Sequence, residues 1–515
     1  MLSFALMLFL QNGAWVPTAA IPDARQEVAV VALEGRVYVI GGLATGGAAS
    51  SRVDVFDTRS NQWQRVPSLP INSHHPMAAV IGNRIYIAGG YTDPGFTAHA
   101  RTYEFDPDTS VWTRKADMPS ARGAGAAAAY EGKLYVFGGE RDGITVNDAA
   151  SYDPITDSWT SLAPLPTPRN HIGAALVRGG IFVVGGRPFN LSTNEMFDPT
   201  TGTWTTKAPM PTGRSGHAVT AVGRYLYAVG GEGNNASPAG TFVENEAYDV
   251  DADAWIPVEP MALARHGIGA GVIGNRIYVP SGGSVAGFGT TDRSDFFEVA
   301  QDIVLPQFVV GGGYRTEIVV SNPASRGADI NFSVTDISGS PLSTVLDGSV
   351  RSTLSFTLPP LASRSIGAPD NSGALRAGTV RIRSNARVSA FAIIRLSGLS
   401  ATTVYPVSPS RSGLFQVRLV RSESTSTGVA LWNSGTQGAS LTLTLINDAG
   451  VEVARVDRTL TSGAQLSRFV DELFGGFQSS DFVGTMTVRS TQPVSIVALA
   501  FSRDGVITIP VVPVE

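Results

Sequence analysis

No cysteine occurs among the 515 residues. That excludes disulfide scaffolds, thiolate metal sites, iron–sulfur clusters and cysteine nucleophiles. It does not fix the compartment, because a large, well-cored domain is secreted without disulfides. Charge is also scarce: charged residues are 16% of the chain, against 43% hydrophobic. So little charge on so apolar a chain argues against disorder. Lysine occurs three times, at Lys115, Lys133 and Lys207, and the net charge is −5. No global basic field draws the chain to nucleic acid. Long apolar runs are missing as well. Residues 2–10, LSFALMLFL, are too few to span ~30 Å of hydrocarbon as a helix. Their length suits the apolar region of a signal peptide, although no Lys or Arg precedes them. We expect residues 1–14 to be a targeting segment, the protein to be secreted, periplasmic or at the cell surface, and no segment to span a membrane. There is no Walker loop, HExxH or GxSxG. Asp249, Asp251 and Asp253 imitate the start of a calcium loop without its Gly and closing Glu.

What is abundant is turn chemistry. Gly (57) and Pro (31) sit among plentiful aromatic and β-branched residues, which predicts many short strands joined by tight turns. Double glycines close strand-like runs at Gly41, Gly89, Gly138, Gly185, Gly230 and Gly282, spaced 48, 49, 47, 45 and 52. Trp15, Trp63, Trp112, Trp159, Trp204 and Trp255 keep the same rhythm. Each precedes a double glycine by 26 residues, or 27 in the last pair. The interval from double glycine to the next Trp varies instead, so insertions belong there. Each unit reads as four strands: an Ala/Gly-rich first, an apolar second ending in Gly-Gly, a third, then a Trp strand after an Asp-rich turn. Small side chains suit strands that crowd a central axis. Apolar residues on both faces suit sheets stacked on one another.

On these motifs residues 15–300 resemble the Kelch-repeat family, whose units carry this Gly-Gly, a Tyr-Asp-Pro-like turn and a spaced Trp. The resemblance implies an all-β fold with a six-bladed propeller. No Trp follows the sixth Gly-Gly at the expected distance, so the strand around Trp15 is expected to complete the last blade and close the ring. The chain also resembles the propeller of copper-radical galactose oxidases, but their Cys–Tyr crosslink has no counterpart here.

After Gln301 the pattern changes. AGTVRIRSNARVSAFAIIRL matches VGTMTVRSTQPVSIVALAFS at an offset of 106 residues. Residues 301–407 and 408–515 therefore read as a duplicated module. Alternating strands and turn residues favour an immunoglobulin-like β-sandwich, with a short helical turn within residues 466–474.

Candidate site residues lie on one rim, where first strands begin and the loops between second and third strands pass. Arg25, Arg122, Arg169, Arg214 and Arg265 stand there, with Ser73 in the remaining unit. His74, His75, His171, His217 and His266 lie within three residues of them. Such Arg and His side chains also brace neighbouring loops by hydrogen bonds. The residue after Gly-Gly varies more: Leu43, Tyr91, Glu140, Arg187, Glu232 and Ser284. We expect Glu140, Arg141, Arg187 and Glu232 to converge with Arg122, Arg169, Arg214, His171 and His217 on a polar ligand, with the Arg side chains as anchors. No metal or cofactor is expected. The function read from this is a binding module for a glycan or peptide. The alternatives are a sugar mutarotase, from a resemblance to six-bladed Kelch N-acetylneuraminate epimerases, and a structural or adhesive surface protein.

Overall fold

A computed structural model describes residues 13–515, apart from 324–326, 369–372, 387, 397–401, 407–410, 423, 436, 476–480, 503–504, 510 and 515. Residues 1–12, most of the expected targeting segment, lie outside the described residues. The chain divides into two compact units, Met1–Val299 and Ala300–Glu515.

The first unit holds six four-stranded antiparallel sheets. In the first, Ala29–Leu33, Arg36–Ile40, Val53–Asp57 and Gln62–Val66 pair in chain order. The next four sheets repeat this arrangement. The sixth takes three strands from Gly271–Ile273, Arg276–Pro280 and Ser294–Glu298, and its outer strand from Ala14–Pro17. Trp15 stands opposite Phe297 in that register.

The tryptophans explain their own spacing. Each packs at a tilt against the aromatic residue opposite it, with ring centroids 4.8–5.4 Å apart, in the pairs Trp15–Phe297, Phe56–Trp63, Phe105–Trp112, Tyr152–Trp159, Phe197–Trp204 and Tyr248–Trp255. Each indole N–H then donates to a backbone carbonyl just beyond the outer strand of the preceding sheet. Trp63 reaches Ala19, Trp112 Pro67, Trp159 Ala116, Trp204 Ala163, Trp255 Ala208 and Trp15 Glu259, all at 2.8–3.0 Å. The sequence of docks runs round all six sheets through Trp15. Trp15 is half-buried, so Trp15→Ala should lower stability by ~2 kcal/mol, about half the range for a fully buried aromatic. A urea melt that does not move would show that the N-terminal strand contributes no closure.

The first strands line a central channel of about 420 Å³. Their small residues are a steric requirement. A Cβ on Gly173 would fall 2.3 Å from a Val219 methyl carbon. Among the described residues, no helix is long and apolar enough to cross a membrane.

In the second unit, one four-stranded sheet orders Gln301–Val310, Arg376–Ser384, Ala328–Asp336 and Thr353–Leu358. Another orders Ser363–Ala368, Tyr314–Ser321, Ser389–Leu396 and Thr402–Pro406. Leu305, Phe308, Ile318, Phe332, Val380 and Ala392 share one core between them. That core also takes in Ala430, Val497 and Leu499, while Phe415, Leu431, Leu443, Val488 and Ile496 form a second core in the later half. The duplicated segments differ in form. Residues 377–396 divide between two strands, whereas their counterpart is the single 21-residue strand Phe482–Ser502. The helix Val470–Leu473 is four residues long.

Candidate functional site at one mouth of the channel

A three-residue lead-in precedes each first strand, and its positions do different work. The first position holds Arg25, Ser73, Arg122, Arg169, Arg214 or Arg265. All five arginines are buried to 1% exposure or less. Arg214 shows why. Its Nε donates to the Gly230 carbonyl and its Nη2 to the Ala228 carbonyl, while Nη1 meets Glu246 at 2.5 Å. Arg25, Arg169 and Arg265 likewise pair with Asp54, Glu195 and Asp295. Each of these acids is the second residue of its third strand. In the third sheet that position is Ala150, and Arg122 is left with Ser120 while its Nε and Nη2 have no hydrogen-bond partner. Burial there lowers the Arg122 guanidinium to about 10. The expectation that Arg122, Arg169 and Arg214 anchor a ligand is therefore corrected. They tie the start of one strand to its neighbours and present nothing to solvent.

The second position bridges to the residue after Gly-Gly: Gln26 to Leu43, His74 to Tyr91, Gly123 to Glu140, Asn170 to Arg187, Ser215 to Glu232 and His266 to Gly283. In the sixth unit this residue is Gly283, not Ser284. Ser281 occupies the first-glycine place at φ 60°, and Gly282 the second at φ 106°. Counted to Ser281, the sixth Trp interval becomes 26 residues like the others.

The third position is Glu27, His75, Ala124, His171, Gly216 or Gly267, every one at a φ between 51° and 61°. Four non-glycine residues hold this left-handed conformation, which is uncommon outside turns and functional sites. What they gain is a ring. Each N–H donates to the carbonyl of the same position one sheet earlier, from Glu27 to Gly267 and onward to Gly267 donating to Gly216, at 2.6–3.1 Å. The ring crosses the end of the channel where the first strands begin.

Side chains of the ring and the bridges make a compact polar cluster. Glu27 Oε2 lies 3.0 Å from His75 Nε2, which lies 3.1 Å from His171 Nε2. One atom from each of the three falls within 4.8 Å of the others, the spacing of a metal-ligand set. His266 Nδ1 stands 3.4 Å from Glu27 Oε1 and 3.3 Å from Glu232 Oε2. Arg187 reaches His171 and, at 3.4 Å, Glu232. Burial would raise the Glu27 carboxyl, but His75 and His266 outweigh it and hold it well below the usual range. Burial, His75 and Arg187 push His171 well below the ordinary imidazole range. Burial also lowers His266, yet its carboxylate neighbours leave it raised.

Of the expected site residues, His171, Arg187 and Glu232 meet here, and Glu140 joins through Asn170, whose Nδ2 donates to its Oε2 at 3.1 Å. Arg141 instead pairs with Asp148 at 3.0 Å. His217 does not belong. It sits one residue deeper than the ring and lines the channel at 4% exposure. Glu27, Gln26 and Asn170 escaped the sequence reading. The signal for them was their distance from the lead-in Arg, one or two residues, within the same repeat.

The model of the KLHDC2/KLHL20/DRC7 Kelch-repeats domain matches residues 10–186 and 74–283, together more than half of the chain. The chain belongs to the Kelch-repeat family. It is similar to an F-box/kelch-repeat protein of Arabidopsis thaliana, 36% identical over 77 residues, which is 15% of this chain and 21% of that protein. It is also similar to Kelch-like protein 35 of Mus musculus, 30% identical over 86 residues, 17% of this chain and 15% of that one. A Kelch domain-containing protein of Saccharolobus solfataricus is 36% identical over 81 residues, 16% of this chain and 10% of that one. The chain thus spans about a fifth or less of the length of these curated relatives. The solved structure of YjhT superposes with a TM-score of 0.45 and 15% identity, covering 55% of this chain and 96% of that one.

Proposed function

We propose that this Kelch-repeat protein is an interaction module: a six-bladed propeller, closed by its N-terminal strand, that binds a peptide or protein partner at the mouth described above. In this reading the second unit is a pair of immunoglobulin-like modules serving as spacer. The observation that carries the proposal is the exposed apolar surface beside the polar cluster. Phe189 is 94% exposed and Phe288 64%. Both stand on loops between second and third strands, and Glu232 ties those two loops together. Its Oε1 meets Arg187, two residues from Phe189, and its Oε2 accepts from the N–H of Gly287, beside Phe288. Exposed aromatic anchors set beside a half-exposed Arg are the composition of interaction hot spots.

The test is a peptide and protein array set beside a glycan array, both probed with the full chain, followed by calorimetry on a hit. Phe189→Ala and Phe288→Ala should each weaken binding about 10- to 100-fold. Asp153→Asn, at the end of a third strand where Asp153 pairs with Lys133, should leave it unchanged. Hits confined to glycans, or affinity indifferent to both Phe variants, would overturn the reading.

A further inference from the structure

The hydrogen-bond roles within the ring bring three groups able to donate electron pairs together, with a proton between His75 and Glu27 that a metal ion would displace. The Asp93 carbonyl accepts from His74 Nε2 at 2.8 Å, so that nitrogen carries the proton and His74 Nδ1 is an acceptor. His74 Nδ1 lies 2.6 Å from His75 Nδ1, which must therefore be the donor. The Nδ1 proton of His75 is thus spent on the far side of the ring; its Nε2 donates a second proton to Glu27 Oε2 at 3.0 Å, and on losing that proton presents a lone pair to Glu27 and His171. The same logic fixes His171. Asn170 Nδ2 donates to Thr145 Oγ1 at 2.7 Å and to Glu140, so its Oδ1 is the atom 2.5 Å from His171 Nδ1. His171 Nδ1 donates there, Arg187 Nε donates to the same oxygen at 3.2 Å, and Arg187 Nη2 donates to the lone pair on His171 Nε2.

We propose that Glu27, His75 and His171 form a binding site for a divalent transition-metal ion of the zinc class. Two imidazole nitrogens and one carboxylate oxygen are a donor set that suits zinc and its neighbours over magnesium or calcium. Two of the three separations, 3.0 and 3.1 Å, fall near the edge of about 3.3 Å that bonds of ~2.0–2.1 Å give in a tetrahedron; Glu27 and His171 lie within 4.8 Å of each other and close up around an ion. Both histidines carry the outer support that zinc-bound imidazoles have, an N–H committed to a fixed acceptor on the opposite side of the ring. The site joins the first, second and fourth sheets, so an ion there would brace the channel mouth. Three protein ligands leave one coordination position, on the side where the half-exposed Arg187 guanidinium now covers His171. Metal binding requires Arg187 to swing out toward solvent. The proposal does not rest on the partner-binding reading, although an ion would release Arg187 from Glu232, the contact that joins the two Phe loops.

The experiment uses the untagged full chain, stripped with chelator and titrated with zinc chloride by calorimetry and by thermal melting. One zinc per chain should bind at micromolar or tighter affinity, with a melting temperature that rises with free zinc, while magnesium chloride produces neither effect. His75→Gln, His171→Gln and Glu27→Gln should each weaken binding by more than the ~10- to 100-fold that loss of an outer partner costs. Arg187→Ala should tighten it, because it removes a competing cation, and His99→Gln should leave it unchanged. Melts in chelator establish that each variant is folded. Should a ligand variant not fold, wild-type stoichiometry and the Arg187→Ala comparison still decide. Binding weaker than millimolar would mean that a shared proton fills the gap between these groups, and would overturn the proposal. So would zinc binding that survives all three ligand variants.

Discussion

Arg214→Ala should lower the unfolding free energy by ~3–5 kcal/mol, the usual loss when one partner of a buried ion pair is removed. Glu246 would remain, buried to 5% exposure, facing a cavity where Nη1 had stood at 2.5 Å. The carbonyls of Gly230 and Ala228 would lose their donors as well. Burial lowers the Arg214 guanidinium, while Glu246 opposes that shift. The informative comparison is Arg122, buried just as deeply but with Ala150 where the acid would be. Arg122→Met removes a charge that reaches a carboxylate, Asp148, only through Ser120, and fills the space with apolar atoms. It should change stability by less than about 1 kcal/mol or raise it. Urea denaturation with a common m-value reads both. Equal losses at the two positions would mean that the guanidinium stem, not the ion pair, stabilises the lead-in.

Much of this architecture was legible because its period is written in rare residues. Tryptophan marks the outer strand, since only an indole both packs against the third-strand aromatic and donates across to the preceding sheet. Gly-Gly marks the exit of the second strand, where Ser73 and its equivalents press against the backbone. A Cβ on Gly41 would fall 2.3 Å from the Ser73 carbonyl oxygen. Where the pair slips by one residue, as at Ser281, counting glycines misplaces the loop residue while counting from Trp255 does not. The buried arginines were visible, but their role was not. Their partners lie 26 to 32 residues away, on strands whose second position reads as an ordinary polar residue. A chain-internal comparison would have exposed the pairing. Arg accompanies Asp or Glu in four sheets, stands with Ala150 in the third, and gives way to Ser73 with Tyr103 in the second. The histidines were grouped by proximity in sequence, yet a step of one residue sends a side chain from the bridge to the ring, and another into the channel wall. Torsion angles separate those fates, and they are not written in composition.

Acidification provides the last large effect. Burial, with Arg214 and Arg169 nearby, pushes His217 down to about 3. Burial, then Arg101 and Arg114, with Asp117 opposing, pushes His99 down to about 4. His99 Nδ1 accepts from the Arg101 N–H at 3.2 Å, so protonating it breaks a native hydrogen bond. Both imidazoles stay neutral in the folded protein across the range where an unfolded chain takes up protons, around 6.5. Below that value the unfolded state binds more protons, so stability falls as pH falls. The contribution of each histidine is intact above about pH 6.5 and is lost at ~1.4 kcal/mol per pH unit, until its folded-state pKa is approached. Between pH 7.5 and 5.5 the pair should remove ~3 kcal/mol, well before the native carboxylates begin to protonate. Urea midpoints across this range in the presence of chelator give the total slope, to which His74 and His171, also lowered, add and His266, raised, subtracts. His217→Leu should reduce it by one proton, since it deletes a titrating ring in the channel wall. A slope that does not change in His217→Leu would show that His217 already carries its proton in the folded state.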